Sequence, residues 1–185
     1  MMPYLGELLS VWRNENPTIS TGTFVASKER TEKWLDELVI DRDDRLLFMV
    51  TSLESEPYGH IGFSNFDYSE LSGEIDSVLK GVKDAPKGIM NFASQTLIAW
   101  GQEVVRMKEI TLSVYSDNES AIKFYEKLGF IKTHEVPLMK IFIEEKNEEK
   151  YEVAPEGYDG PVEKKYLYMK LDKEKEKKNE LSYTL

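Results

Sequence analysis

The sequence predicts a mixed α/β fold, a sheet with at least one parallel crossover and flanking helices. Two extended runs, residues 46–51 and 58–66, are separated only by the polar SLESEP, so they read as neighbouring antiparallel strands. Residues 73–79 read as another strand, followed by a long stretch of helical period and then by the alternating EITLSVY at 109–115. A strand, a helix and a strand in that order close as a parallel crossover. The 185 residues suit one domain, residues 1–171 at about 150 residues per domain, with the charged 172–185 expected as a poorly ordered tail.

Leu5, Leu8, Leu9 and Trp12 recur at helical spacing and predict a first helix that stops before Pro17. A second helix is expected over 31–40, with Trp34, Leu35 and Leu38 on its apolar side. Within the strand 73–79, Glu74, Asp76 and Val78 are expected on one face and Ile75, Ser77 and Leu79 on the other. From Gly88 to about Arg106, Met90, Ala93, Leu97, Trp100 and Val104 step by three or four, giving a long helix with a broad buried face. In the strand 109–115, Ile110, Leu112 and Val114 share a side. Ser116 and Glu119 then form an S-x-x-E capping box for a helix that stops at Gly129. Residues 131–143 read as one strand interrupted near Pro137, and KYLYMKL at 165–171 as a closing strand. Between them, 144–164 is acidic and rich in Gly and Pro, so a surface excursion is expected.

Composition removes several kinds of chemistry. With 24 Lys and Arg against 34 Asp and Glu the net charge is −10, which argues against general binding to nucleic acid or an anionic membrane. The longest apolar run covers only residues 46–50, where a membrane-spanning helix needs roughly twenty residues. The start, MMPYLGELLSVW, lacks the marks of a signal peptide. Cysteine is absent, which removes disulfides, thiolate nucleophiles and Cys-ligated metals, and His60 and His134 are not at metal-ligand spacing. The expectation is a cytoplasmic, metal-free protein whose partner is a small molecule, with homodimerisation left open.

KGVKDAPKGIM at 80–90 joins a strand to the long helix. Gly81 and Gly88 permit close backbone approach, and the N–H groups of a helix start suit phosphate oxygens. Lys80, Lys83 and Lys87 against Asp84 leave a local charge of +2. With a Debye length of about 8 Å, that patch outweighs the distant net charge. A solvated strand-to-helix turn would use the same residues.

The stretch LSVYSDNESAIKFYEKLGF at 112–130 carries a strand, Asn, Ala-Ile, Phe-Tyr and Leu-Gly-Phe in register. It resembles the second conserved motif of the GCN5-related N-acetyltransferase superfamily. The loop and helix before it resemble that superfamily's acyl-CoA pyrophosphate motif, so the resemblance covers roughly residues 73–130. The wording GEID, KG and KGIM, and the tripeptide WRN at Trp12–Asn14, resemble members that acetylate amino sugars on nucleotide carriers. Two features depart from the pattern. The outer positions of the loop, usually Gln or Arg and Gly or Ala, are Ala85 and Met90. The strand that usually precedes the first helix is expected to be missing, replaced from elsewhere or outside this sequence.

The resemblance implies a mostly antiparallel twisted sheet in which one parallel strand pair splays to admit acetyl-CoA. It implies transfer of an acetyl group to a small polar amine. An amino sugar on a nucleotide is the first choice, with a polyamine, a protein amine or non-catalytic acyl-CoA binding as alternatives. Val78, Leu79 and Lys80 would meet the pantetheine arm, and Lys83, Lys87, Gly88, Ile89, Met90 and Asn91 the pyrophosphate. Asn118 would reach the pantetheine or a strand carbonyl. Tyr125 occupies the position that donates a proton to the leaving sulfur in many members, a core aromatic being the alternative. Glu74 and Asp76 are the candidate bases, Glu74 first, each also readable as a solvated or salt-bridged sheet residue, with His60 behind them. Trp12 and Arg13 are expected at the acceptor with Lys28, Tyr151 and Tyr158, while the acidic 144–152 would suit a polycation.

Overall fold

The computed structural model describes residues 4–17 and 22–172, so the tail expected over 172–185 lies outside the described residues except for Asp172. Eight strands form one sheet: β1 Gly22–Thr23, β2 Leu46–Thr51, β3 Pro57–Asp67, β4 Ser72–Lys80, β5 Glu109–Tyr115, β6 Phe130–Ile143, β7 Glu148–Val153 and β8 Lys164–Leu171. Their order is β1-β7-β6-β8-β5-β4-β3-β2, and every neighbouring pair is antiparallel except β4 with β5. Helices α1 Leu5–Glu15 and α2 Lys28–Leu35 pack on one face of this sheet, and α3 Ile89–Glu103 and α4 Glu119–Lys127 on the other.

Each layer closes over its own core. Leu97 and Ile98 of α3 and Ile122 of α4 pack onto Ile61, Phe63, Ile110, Leu112 and Met169. On the opposite face Leu9, Trp12 and Leu35 close over Leu79. Burying such side chains contributes about 1.5–3 kcal/mol each, so the helices are held by their apolar faces rather than by intrinsic propensity.

The helix ends differ from the sequence expectation for identifiable reasons. Helix α2 starts at Lys28 because the Ser27 side chain caps it, accepting the Arg30 N–H at 3.2 Å. A π turn over Asp36–Ile40 then adds a residue to the winding and turns Leu38 outward, 44% exposed. Helix α3 ends at Glu103, which leaves Val104 exposed instead of in the buried stripe. Asn118, not Ser116, caps α4: its Oδ1 accepts the Ala121 N–H at 3.1 Å, while the Ser116 N–H donates to the Lys165 carbonyl. Gly129, at φ +100, ends that helix region as expected.

Two expectations for the strands are corrected. Strand β6 runs through Pro137 without interruption, because Pro137 sits where β6 passes from β8 to β7; the next residue, Leu138, pairs with both Lys164 and Val153. The expected surface excursion 144–164 contains β7, which adds to β6 and receives β1 on its other edge. Strand β4 also departs from simple alternation. His60 pairs with Leu79 and Gly62 with Asp76, so Ser77 and Val78 together face Ile61. Ser77 stands at φ +55, and this two-against-one bulge exchanges the faces of β4. Val78 packs with Ile75 against the α3 and α4 core, while Leu79 joins the core under α1 and α2.

Close packing of α1 onto the end of β4 generates a stability prediction. A Cβ added at Gly81 would stand 2.0 Å from the Trp12 ring. Gly81→Ala is therefore expected to destabilise the fold by about 1–3 kcal/mol in urea unfolding through overpacking. Adding Trp12→Leu to that chain should recover part of the loss.

Candidate active site

Strands β4 and β5 are joined at one end only. Their ladder consists of Ser72 with Glu109, Gly73 with Ile110 and Glu74 with Thr111. Beyond it, β4 stays paired to β3 as far as Lys80 and β5 to β8 as far as Tyr115. The facing edges of 75–80 and 112–115 are thus parted, and their backbone groups can pair with the amides of an extended ligand.

At the wide end of this opening the chain turns through 81–88 into α3. The N–H groups of Gly81 and Val82 both donate to the Tyr58 carbonyl, and Lys80 Nζ donates to the Lys83 carbonyl at 2.8 Å. Gly88 has φ +85, and a Cβ there would meet nothing within 4 Å. The Phe92 N–H makes the first helical bond, to Gly88 O, and the Ile89 N–H is used on Pro86 O. Met90 and Asn91 therefore present N–H groups with no acceptor in the helix, beside Lys83 and Lys87. An open space at a glycine, free helix-start donors and flanking lysines fit a pyrophosphate. Ala85 is buried, so the unusual residue at that position serves packing. Asn118 was expected at the ligand, but its side-chain oxygen is committed to the start of α4.

The sheet face under α1 and α2 carries the polar groups. Strand alternation puts Thr111, Ser113 and Tyr115 of β5 with Tyr166 and Tyr168 of β8, opposite the buried Leu112 and Met169. Tyr115 stacks on Tyr166 at 5.3 Å, Tyr168 meets Tyr166 edge-on at 6.5 Å, and His134 stacks on Tyr168 at 4.8 Å. The Lys164 ammonium lies 4.4 Å from the centre of the Tyr115 ring and 3.6 Å from the Asp117 carboxylate. Burial pushes the Tyr115 hydroxyl up to about 12 and also raises Tyr168, where the Glu74 charge adds to the effect.

Glu74 and Asp76 share this face, but their surroundings differ. Burial lifts Glu74 above the ordinary carboxylate range, opposed by a hydrogen bond from the Asn65 side chain and reinforced by Asp76. Asp76 accepts from Arg45 Nη2 at 2.7 Å on one oxygen and from the Ser77 N–H at 2.6 Å on the other. His60 is buried beneath the Trp12 ring, its Nδ1 2.6 Å from the Ser77 carbonyl oxygen. A carbonyl only accepts, so Nδ1 carries the hydrogen, and burial lowers the imidazole's pKa and keeps it neutral.

Tyr125 projects from α4 against the other side of the sheet, edge-on to Phe124 at 5.3 Å and to Phe130 at 6.0 Å. Burial pushes its hydroxyl up to about 12, with the Asp76 charge adding. It is a phenol throughout the neutral range and keeps a hydrogen to donate. Full proton transfer to a thiolate whose acid has a pKa near 8.5 would be uphill by roughly 5 kcal/mol. The group therefore suits hydrogen-bond donation to a departing sulfur, with the proton itself supplied from elsewhere.

The residues expected at the acceptor take other positions. Trp12 is 3% exposed, pressed on Gly81 and stacked over His60, so its ring is core rather than a substrate face. Arg13 Nη2 donates to the Gly22 carbonyl at 2.9 Å, and its guanidinium lies 4.8 Å from the centre of the Phe24 ring. The Asn14 side chain bonds both backbone groups of Ala26, and Arg30 makes a bidentate pair with Glu148 of β7. WRN thus fastens the 22–30 segment to α1, and Arg30 fastens it to the sheet. Lys28 pairs with Glu32, the Tyr151 hydroxyl donates to Glu163 and that of Tyr158 to the Pro161 carbonyl. In the acidic stretch Glu148, Glu149 and Glu152 are paired with Arg30, Lys140 and Lys150. Sequence reasoning missed Tyr115, Tyr166 and Tyr168. Their signal was the two tyrosines two apart in KYLYMKL, on the strand that pairs with β5.

A shallow cavity of about 350 Å³ beside Lys108, Ile131 and Lys170 lies at the opposite end of β5 and contains none of these groups. Among the described residues no His, Asp and Glu cluster could hold a metal ion, and no helix is long and apolar enough to cross a membrane.

Residues 5–131 match the acetyltransferase (GNAT) domain family. No curated protein matches the chain in sequence. Among solved structures, a mutant of the spermidine N-acetyltransferase SpeG from Vibrio cholerae is 17% identical, with 95% of each chain covered and a TM-score of 0.66. The spermidine N-acetyltransferase from the same organism in complex with CoA and spermine is 14% identical, with 90% of this chain and 83% of that chain covered and a TM-score of 0.61.

The geometry of the 81–88 turn generates one prediction here. Gly88→Val imposes a branched side chain on a left-handed residue and fills the space in front of the α3 donors. Acetyl-CoA affinity measured by calorimetry is expected to fall tenfold or more, and an unchanged affinity would remove this turn from the site.

Proposed function

We propose that this chain, which belongs to the acetyltransferase (GNAT) domain family and transfers acetyl groups from acetyl-CoA to amines, takes a small cationic primary amine as its acceptor. The observation that carries this reading is the tyrosine floor beside Glu74, where the Lys164 ammonium already rests on the Tyr115 ring. Aromatic faces and a carboxylate attract an alkylammonium. The same carboxylate repels the phosphates of a nucleotide. The amino-sugar nucleotide expected from the sequence also loses Trp12 and Arg13, both built into the scaffold. Polyamines are the acceptors named for the structurally similar spermidine N-acetyltransferases and belong to the class proposed here.

Acetyl-CoA supplies the thioester acyl group. Lys83, Lys87, Gly88, Met90 and Asn91 hold its pyrophosphate, and the β4 edge at Val78, Leu79 and Lys80 meets its pantetheine arm. An alkylammonium with a pKa near 10.4 must lose a proton before it can attack. Glu74, made a stronger base by burial, accepts that proton. Tyr125 donates a hydrogen bond to the sulfur as it leaves.

Thiol release from acetyl-CoA, measured with alkyl monoamines, polyamines, amino-sugar nucleotides and peptides, tests the acceptor class. The alkylamines should show the highest kcat/KM, with a KM that rises with ionic strength. A preferred sugar nucleotide with a salt-insensitive KM would overturn the reading. Tyr125→Phe should lower kcat at least tenfold while the acetyl-CoA Kd changes less than threefold, because the ring packing is kept. In the wild type kcat/KM should fall as pH drops through the raised Glu74 pKa and protonates the base. Glu74→Gln should abolish that limb and leave activity climbing toward the pKa of the free amine.

A further inference from the structure

We propose that His60 and Asp76 are positioning residues that clamp the Ser77 bulge from both sides and so aim the β4 edge that meets acetyl-CoA. This inference rests on the acetyltransferase reading above. Ser77 holds a left-handed conformation, φ +55, which a residue with a Cβ keeps only where its surroundings enforce it. Those surroundings are present on both of its peptide groups. The Ser77 N–H donates to Asp76 Oδ1 at 2.6 Å, and the Ser77 carbonyl accepts from His60 Nδ1 at 2.6 Å. Each clamp is anchored in turn. Arg45 Nη2 holds the other Asp76 oxygen at 2.7 Å, and the Trp12 ring covers His60 while lying against Gly81.

The bulge has a specific consequence for the site. Glu74 is the last residue of β4 paired to β5, and the bulge follows three residues later, where the two strands have parted. Without the extra residue Leu79 would share the face of Ile75, and Val78 that of Glu74; with it the two are exchanged. The direction of 78–80 therefore depends on Ser77 staying in place. The same bonds assign Asp76: both of its oxygens are engaged by donors, so it holds backbone while Glu74 handles the proton.

The test compares alanine with asparagine at both positions in the full chain. Asparagine at position 76 keeps an oxygen for the Ser77 N–H but has no basicity, and at position 60 it keeps an N–H for the Ser77 carbonyl. Asp76→Asn should retain kcat within fivefold and the wild-type pH profile, while Asp76→Ala loses tenfold or more. His60→Ala should also lose tenfold or more in kcat with little change in the amine KM, and His60→Asn should recover part of it. Amide hydrogen exchange at Ser77, followed by NMR, should quicken at least tenfold in both alanine variants. If an alanine variant fails to fold, the asparagine variants and Arg45→Met carry the same measurement, with Arg45→Met quickening exchange threefold or more. Asp76→Asn as inactive as Asp76→Ala, with the acid limb of the profile gone, would make Asp76 the base and overturn the proposal. Unaltered Ser77 exchange would overturn it as well. A wild type that binds acetyl-CoA without turning over any amine would instead defeat the functional reading, while the exchange data still judge the clamp.

Discussion

Three residue pairs join β4 to β5, and the sheet opens beyond them because there are no more than three. A longer ladder would close the opening. Strands β2, β3 and β4 form one half of the sheet, and β5, β8, β6, β7 and β1 the other. What prevents the halves from separating is the shared core, in which Ile61, Phe63 and Ile75 from one half pack with Ile110, Leu112 and Met169 from the other beneath α3. Each such side chain contributes about 1.5–3 kcal/mol, against about 0.5–1.5 kcal/mol net for a ladder hydrogen bond. Burial can therefore offset the pairing that the opening gives up.

The two sides of the opening differ in electrostatic character even though the whole chain carries −10. Lys80 ends β4 and Lys83 and Lys87 lie on the turn before α3, while Glu74 and Asp76 lie on the face under α1 and α2. Screening over about 8 Å lets each local set act independently of the total. Burial keeps the tyrosines of β5 and β8 protonated, so that part of the floor stays neutral and polar across the physiological range. The family's acyl donor is anionic and the acceptor proposed here is cationic. That separation suits an enzyme that brings the two together from opposite sides.

The residues of the α1–α2 connection show how a polar, motif-like string can be structural. Arg13, Asn14 and Arg30 bind backbone carbonyls, the Phe24 ring and Glu148, and through β1 the connection joins the far edge of the sheet at β7. Asn14 satisfies the backbone N–H and C=O of one residue, Ala26, which an exposed pair such as Lys28 with Glu32 cannot match in worth. Residues expected at the acceptor from the sequence are thereby committed to the scaffold.

Local pattern determined much of this protein. Apolar spacing reported the α/β class, the parallel crossover and the order of the helices and strands apart from β1 and β7, because periodicity records which side of each segment is buried. The 112–130 motif and the lysine-flanked turn at Gly88 pointed to the parted end of β4 and β5, since an extended strand, a glycine and a helix start are local features. The extra residue at Ser77, the exchange of Val78 and Leu79, and the different fates of Glu74 and Asp76 depended on His60, Arg45 and Asn65, which lie on other segments. The gathering of Tyr115, Tyr166 and Tyr168 and the burial of Trp12 over Gly81 likewise required the folded sheet. Contacts between residues far apart in the chain leave no period in the sequence, so only the tertiary structure decided which polar groups gather on the sheet face beside the opening and which are committed to holding backbone in place.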